Sequence, residues 1–384
     1  MPLDAKTVYP LSISRFLRSF VFTILAVSSP FFLKSLGMNP LYSGLILALS
    51  GVSSTAFVYV FPGLKISMRK ILLILWVLFF LSLAILLIRE SLATFIIALL
   101  VGGIPLSGKD MSPNQALEQY SVGKSATDQR SRNTSYGFYN FLSYAGSTLA
   151  ALILFLFSGM SFLQIFQLSF VFAIVSGIPY MIVPLPEYTG KIGHGEISKE
   201  TRKLRNELIS LFAVDSFAGG LVNASMLSLW FLTVYSTNLG ETGFIFVVVN
   251  ILSAMSVLIS GRISSTLGMV RTMVYTHLIS NAFLILMAVV HSLIFSESML
   301  FLRQATSQMD VPPRDSFINT IIPEDERIST NSQFIAARNV SIIPAPAMGG
   351  AMFSIFQSGI PMVAGGLKAA YDLVFFARFK QYKQ

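Results

Sequence analysis

Long apolar runs alternate with short polar gaps along the whole chain, and this alternation predicts membrane-crossing helices. Twelve runs fall at 11–33, 40–61, 70–89, 91–121, 133–157, 163–184, 206–236, 241–261, 270–293, 295–321, 330–356 and 360–380. Each is near the ~20 residues that a tilted helix needs to cross ~30 Å of hydrocarbon. Gaps rich in Gly, Pro, Asn and Ser separate them, as at Leu36-Gly-Met-Asn-Pro40, Ser158-Gly-Met-Ser161 and Ser358-Gly-Ile-Pro361. The first run is long and lacks a small-residue cleavage site, so it reads as a span and not as a removable leader. The expected class is an all-α polytopic membrane protein with twelve transmembrane helices.

Composition agrees with that pattern. Of 384 residues 54% are hydrophobic and 12% charged, against about 25% charged in a soluble domain. The net charge of +9 raises nucleic acid as a partner, but its distribution points to a bilayer. Lys6, Arg15, Arg18, Lys65, Arg69, Lys70, Lys124, Arg130, Arg132, the 186–206 cluster, Arg262, Arg271, Arg327, Arg378, Lys380 and Lys383 fall in alternate gaps. The intervening gaps hold Lys34 and Arg89. The positive-inside rule then places both termini in the cytoplasm of a cell-membrane protein. No nucleic-acid partner is expected, and the chain is expected to be a monomer.

With no cysteine, disulfides and thiolate metal sites are excluded. His194, His277 and His291 are far apart, so no ligand-spaced metal pair is expected and no cofactor either. No nucleophile or acid–base set centred on His or Cys suggests an enzyme.

The polar stretch Glu187–Glu207 separates two six-span halves: 1–185, a linker at 186–206, and 207–384. The halves echo one another at an offset near 200 residues. Asp110-Met-Ser-Pro113 precedes Asp310-Val-Pro-Pro313, Phe61–Met68 lies over Gly261–Gly268, Gly44 over Gly243, and Asp128-Gln-Arg130 over Asp325-Glu-Arg327. Two pseudo-symmetric halves are therefore expected.

The ionisable residues within the runs concentrate on the first helix of each group of three. Arg15 and Arg18 enter span 1. Lys109, Asp110 and Glu118 lie in span 4 or at its inner end. Asp215 lies in span 7, and Arg303, Asp310, Arg314 and Asp315 in span 10. Charge within a span usually faces an aqueous path or a partner, so helices 1, 4, 7 and 10 are expected to line a central cavity. Arg338 in span 11 and Lys368 with Asp372 in span 12 stand outside this pattern, the last two expected to satisfy one another four residues apart.

Six plus six spans, a central cytoplasmic loop and this placement of charge resemble the major facilitator superfamily. The loop after span 8, Gly261-Arg-Ile-Ser-Ser-Thr-Leu-Gly268, is similar to that family's G-x-L-x-D-R-x-G-R-K signature at Gly261, Ile263 and Gly268, and the copy after span 2 keeps Arg69 and Lys70. Lys65 and Ser265 stand where the family has an acid, which implies a weakened or replaced cytoplasmic lock. Tyr136–Gly146 lacks the proline of the fifth-span motif typical of proton-driven drug antiporters. The resemblance implies a secondary transporter that moves a small solute by alternating access, without a P-loop. A proton or another ion is the expected coupling partner. The competing expectations are an exporter of hydrophobic or cationic compounds and a transport-fold sensor.

Arg303 is the leading candidate for an anionic solute, against a fixed ion pair with Asp310. Asp310 and Asp110 are either coupling carboxylates or braces for the backbone at the prolines that follow. Asp215, Asn223, Ser225, Gln304 and Ser307 are further substrate or coupling candidates, and Phe20, Phe22, Phe217 and Trp230 candidates for an apolar lining. Arg15, Arg18, Lys109, Glu118, Arg130, Arg314, Asp315, Arg327 and Arg338 are gate or ion-pair candidates. Arg18 is expected as an ordinary anchor, and Asp215 as the partner of Arg314 or Arg338.

Overall fold

The computed structural model describes residues 4–108, 110, 112–187, 198–323 and 326–381; at 129, 130, 319, 328 and 329 only the backbone is described. The described elements are helices: α1 (Ala5–Ser35), α2 (Pro40–Val60, ending in a 3-10 turn), α3 (Met68–Ile88), α4 (Leu92–Gly102), α5 (Pro113–Ser125), α6 (Gln129–Leu156), α7 (Phe162–Ser176), α8 (Ile178–Ile182), α9 (Lys199–Leu221), α10 (Ala224–Tyr235), α11 (Leu239–Leu267), α12 (Met269–Leu286), α13 (Leu293–Ser307), α14 (Val311–Ile321), α15 (Arg327–Ile342), α16 (Pro344–Met352) and α17 (Ile360–Phe379). Side-chain caps start many of them. Asn39, Asp128, Ser161 and Asn238 each accept a backbone N–H two or three positions into the next turn, which satisfies donors that a helix start leaves open.

Eight segments are long and apolar enough to cross a bilayer, and the pair α9/α10, bent by 42°, makes a ninth. The remaining expected spans coincide with α4/α5, α13/α14 and α15/α16; the first break contains Pro105, and prolines in the first turn of α14 and α16 follow the other two. Large apolar side chains face outward along the bundle, Ile355 at 87% exposure and Leu258 at 72% among them. Lipid is the solvent that tolerates such a surface. The stretch 261–268, expected as a loop, is instead the last turns of α11. Ser265 and Thr266 hydroxyls bond back to the Arg262 carbonyl, and Gly268, at φ +84, alone makes the turn into α12.

Glycines set where the helices meet. A Cβ on Gly44 would lie 2.3 Å from the Pro346 carbonyl oxygen and 2.8 Å from Gly350 Cα, so α2 and α16 touch backbone to backbone. Gly243 brings α11 against Ala151, Leu154 and Phe155 of α6 in the same way. Close approach through small residues is the usual basis of helix association in lipid.

The apolar core is divided unevenly. One cluster joins both parts of the chain, from Phe20–Leu33 of α1 and Phe95 of α4 to Trp230 of α10, Phe246 of α11 and Ala364 of α17. Two further clusters stay apart. Val8, Leu11, Leu72, Leu117, Tyr139 and Tyr180 form one, entirely from residues before 184. Leu208, Phe212, Val274, Phe317, Tyr371 and Phe379 form the other, entirely from residues after 207. The chain ends lie on the side of the separate clusters, since Val8 belongs to one and Phe379 to the other. The bundle is joined at the end remote from the termini and divided at the end that carries them.

Candidate functional site

Two interrupted helices meet at the junction between the halves of the bundle. Gly103, at φ +55, stops α4, and Gly108, at φ +77, turns the chain towards α5. A Cβ on Gly108 would sit 2.3 Å from that of Ala224, so this left-handed glycine also provides the clearance for contact. On the other side Asn223 breaks α9 from α10 and accepts from Met226 N–H at 3.0 Å. The Ala224 N–H then donates to the Ser107 carbonyl at 3.1 Å, and the Ser228 hydroxyl donates to the Val27 carbonyl at 2.7 Å. Asn223, named above as a substrate candidate, is therefore a helix cap that also lines a cavity of about 40 Å³ with Ser50, Thr55 and Asn339. That is room for water and not for a metabolite.

The first charged assembly belongs to α1, α5, α6 and α8. Arg18 donates to Glu118 through both terminal nitrogens, at 2.7 and 2.6 Å, and to Asp110 at 2.8 Å. It also donates to the hydroxyls of Ser14 and Tyr180. Tyr139 and Tyr180 hydroxyls donate to Glu118 at 2.5 and 2.6 Å. Arg15 stacks over the Tyr139 ring at 4.2 Å, donates to Asn140 at 2.8 Å, and lies 4.0 Å from Asp110. Two arginines and two carboxylates, all buried, cancel in charge. The anchor reading of Arg18 is thus corrected: it is the centre of a buried network, because α5 and α8 and the chain before Pro113 bring acceptors around it. Asp110 also accepts from the Ser112 N–H and hydroxyl at 3.2 and 2.6 Å, supporting the chain just before Pro113.

The second assembly lies between α9, α12 and α17. Lys368 donates to Asp215 at 2.5 Å. His277 Nδ1 is 2.8 Å from Asp372 and its Nε2 is 3.8 Å from Asp215. Asn281 donates to the other Asp372 oxygen at 2.8 Å. Lys368 and Asp372 do not satisfy one another as their spacing suggests, and Asp215 does not pair with Arg314 or Arg338. Both corrections follow from packing, since α17 lies between α9 and α12 and turns its two charged residues to different neighbours.

Span 10 divides as its prolines suggest. Asp310, just before Pro312 and Pro313, accepts from Arg314 Nη1 at 2.9 Å and caps no backbone group, so it is not the twin of Asp110 in contacts. Arg303 makes no ion pair with Asp310 and has no carboxylate within 4.0 Å among the described residues. Its Nη1 donates to Gln304 Oε1 at 2.9 Å, Gln304 donates on to Ser253 at 2.5 Å, and its Nε is buried without a partner. Ser307 is buried on the same stripe of α13. Arg338 donates to Ser216 at 3.3 Å, Arg327 to the Ile322 carbonyl at 3.0 Å, and Asp315 is largely exposed, 4.0 Å from Arg314. Lys109 and the side chain of Arg130 lie outside the described residues.

The aromatic candidates pack within the core. Phe20 stacks on Phe172 at 3.9 Å, Phe22 tilts against Phe79, and Trp230 meets Phe231 and Tyr235; Phe217 packs at the edge of the same cluster. Sequence reasoning missed His277, Asn281, Tyr139 and Tyr180, for which the only signal was polar character inside apolar runs.

Comparison with known proteins adds the family. The family model described as Major Facilitator Superfamily matches residues 11–346. No curated protein matches the chain in sequence. Among solved structures, the nucleoside transporter NupG aligns with TM-score 0.74 at 12% identity, covering 98% of this chain and 100% of that one. A D-xylose-proton symporter gives 0.76 at 10%, covering 98% of each. The human organic anion transporter MFSD10 (TETRAN) gives 0.73 at 15%, covering 98% and 100%. At these identities the likeness is one of fold, while the family match spans most of the chain. The chain belongs to the major facilitator superfamily.

Proposed function

We propose that this protein is a secondary carrier of a small anionic solute, working by alternating access in the cytoplasmic membrane with both termini inside. The two halves are residues 1–185 and 207–384, and the twelve expected spans include the interrupted helices. The divided apolar clusters at the terminal end and the joint cluster at the other suit a carrier open to the cytoplasm and sealed outside. Rocking about the α2/α16 and α6/α11 contacts would reverse that arrangement.

The observation that carries the substrate class is Arg303, a buried guanidinium without a carboxylate partner. An arginine has five donors and holds its charge at any physiological pH, so the group that completes its coordination is an anion. The organic anion transporter among the structural neighbours is in keeping with this reading. The test is counterflow in proteoliposomes loaded with a pooled set of mono- and dicarboxylates. Trans-stimulated exchange is expected with the wild type and is lost in Arg303→Ala, while the variant still elutes and melts as a folded protein. Exchange undiminished in Arg303→Ala would overturn the anion assignment.

A further inference from the structure

One side of the Arg303 guanidinium is fixed and the other is free. Nη1 donates to Gln304 Oε1 at 2.9 Å. Nε is buried without a partner, and Nη2 has no hydrogen-bond partner among the described residues either. In a guanidinium Nη1 turns back towards Cδ, whereas the Nε–H and one Nη2–H point the same way. They form two parallel donors that match the two oxygens of a carboxylate. The free edge of Arg303 is therefore the side-on fork.

Gln304 keeps that edge free, and Ser253 of α11 keeps Gln304 in place. The Ser253 hydroxyl has one proton and donates it to the Val249 carbonyl at 2.7 Å. Towards Gln304 it can only accept, and Gln304 Nε2 donates to it at 2.5 Å. With its nitrogen on Ser253, the amide turns its oxygen to Arg303. Turned over, it would set an NH₂ group against the guanidinium and its oxygen against a hydroxyl with no proton left to give. Ser253, Gln304 and Arg303 are all buried, where such bonds are strong and a reversed one is costly.

We propose that Arg303 takes a monocarboxylate solute side-on, with both carboxylate oxygens on the Nε/Nη2 edge, and that Gln304 and Ser253 are positioning residues that hold this edge open. The inference rests on the anion reading of Arg303 and gives it a geometry. Charge selects the class of solute. The guanidinium brings one positive charge, and its hydrogen-bond partner among the described residues is a neutral amide. A carboxylate matches that with one negative charge on a planar pair of oxygens. A phosphate monoester brings close to two at pH 7 and would leave the excess buried. Gln304 is also the uncharged isostere of Glu, the residue that would cancel Arg303 from within.

The test is counterflow in proteoliposomes loaded with a pool of short aliphatic and aromatic monocarboxylates and, in parallel, with alkyl phosphates and alkyl sulfonates. The monocarboxylate pool should exchange. Arg303→Lys keeps the charge but has no fork, and should lower kcat/KM about tenfold or more. Ser253→Ala should raise KM about three- to tenfold with kcat little changed, and Ser253→Thr, which keeps the hydroxyl, should restore it. Gln304→Glu supplies a fixed carboxylate. It should abolish exchange at every solute concentration and raise the melting temperature with no solute present, a readout that a merely structural glutamine would not give. An Arg303→Lys protein that exchanges like the wild type overturns the fork, even where Arg303→Ala is inactive and the anion reading holds. Exchange undiminished in Arg303→Ala removes both. A wild type silent towards the monocarboxylate pool overturns the carboxylate assignment, whether or not it exchanges phosphates or sulfonates. An unmoved KM in Ser253→Ala, or a melting temperature unchanged or lowered in Gln304→Glu, overturns the positioning roles.

Discussion

Arg18 lays its two terminal nitrogens across the two oxygens of Glu118, at 2.7 and 2.6 Å, on helices 100 residues apart in sequence. The pair is buried, and two tyrosine hydroxyls occupy the remaining acceptor positions of the carboxylate. Removing one partner leaves an unmatched charge among apolar groups. Arg18→Met and Glu118→Leu should each lower stability by about 3–5 kcal/mol. The double variant should recover a large part of that loss. Thermal or denaturant unfolding in detergent checks it, and purely additive losses in the double-mutant cycle would contradict the pairing.

The α2/α16 contact is a second place where one atom group decides the outcome. Gly44→Ala puts a methyl group against the backbone of Pro346 and Gly350, where neither neighbour can turn aside. A cost of about 1–3 kcal/mol is expected from overpacking. Gly366→Ala on α17 meets open space and should be neutral or slightly stabilising. Equal melting shifts for the two variants would show that the helices do not touch as described.

At the terminal end Glu326 fastens the start of α15 to the start of α9. The Thr201 side chain and the Ser198 backbone N–H donate to its carboxylate and hold its pKa below the ordinary carboxylate range. A depressed folded pKa gives stability that is complete above the unfolded value of ~4.3 and fades as pH falls through the folded one. Glu326→Ala should therefore melt below the wild type by a constant margin from about pH 7 to about pH 5, and the margin should close as pH falls below about 4. A margin that widens in acid would be the contrary result.

Much of the fold was legible because apolar runs, caps and prolines act locally. Pro312 and Pro313 marked the break in span 10, and the gap Leu36-Gly-Met-Asn-Pro40 marked the passage from span 1 to span 2. The family's loop signature was legible as spacing, yet its conformation was not: Ser265 and Thr266 have local partners that extend the helix to Leu267. Charge pairing was the least legible layer. Lys368 and Asp372 look like a pair on one helix, but Lys368 reaches Asp215 across 153 residues of sequence, a choice made only when α17 settles between α9 and α12. His277 showed only as a polar residue inside an apolar run, since its partners Asp215 and Asp372 come from two other helices. Arg18 differs from a snorkelling arginine only in what lies opposite it.

The account rests on one end of the bundle opening while the other is sealed, and paired labels measure that directly. The chain has no cysteine, so labels can be placed at will. Lys65 with Arg271 reports the terminal end, between the α2–α3 connection and the start of α12; Glu90 with Val290 reports the other, between the α3–α4 and α12–α13 connections. All four positions are exposed. On adding the anion that counterflow identifies, the first distance should shorten in the molecules in which the second lengthens. Distances that change together in the same direction, or stay fixed during active exchange, would contradict the account.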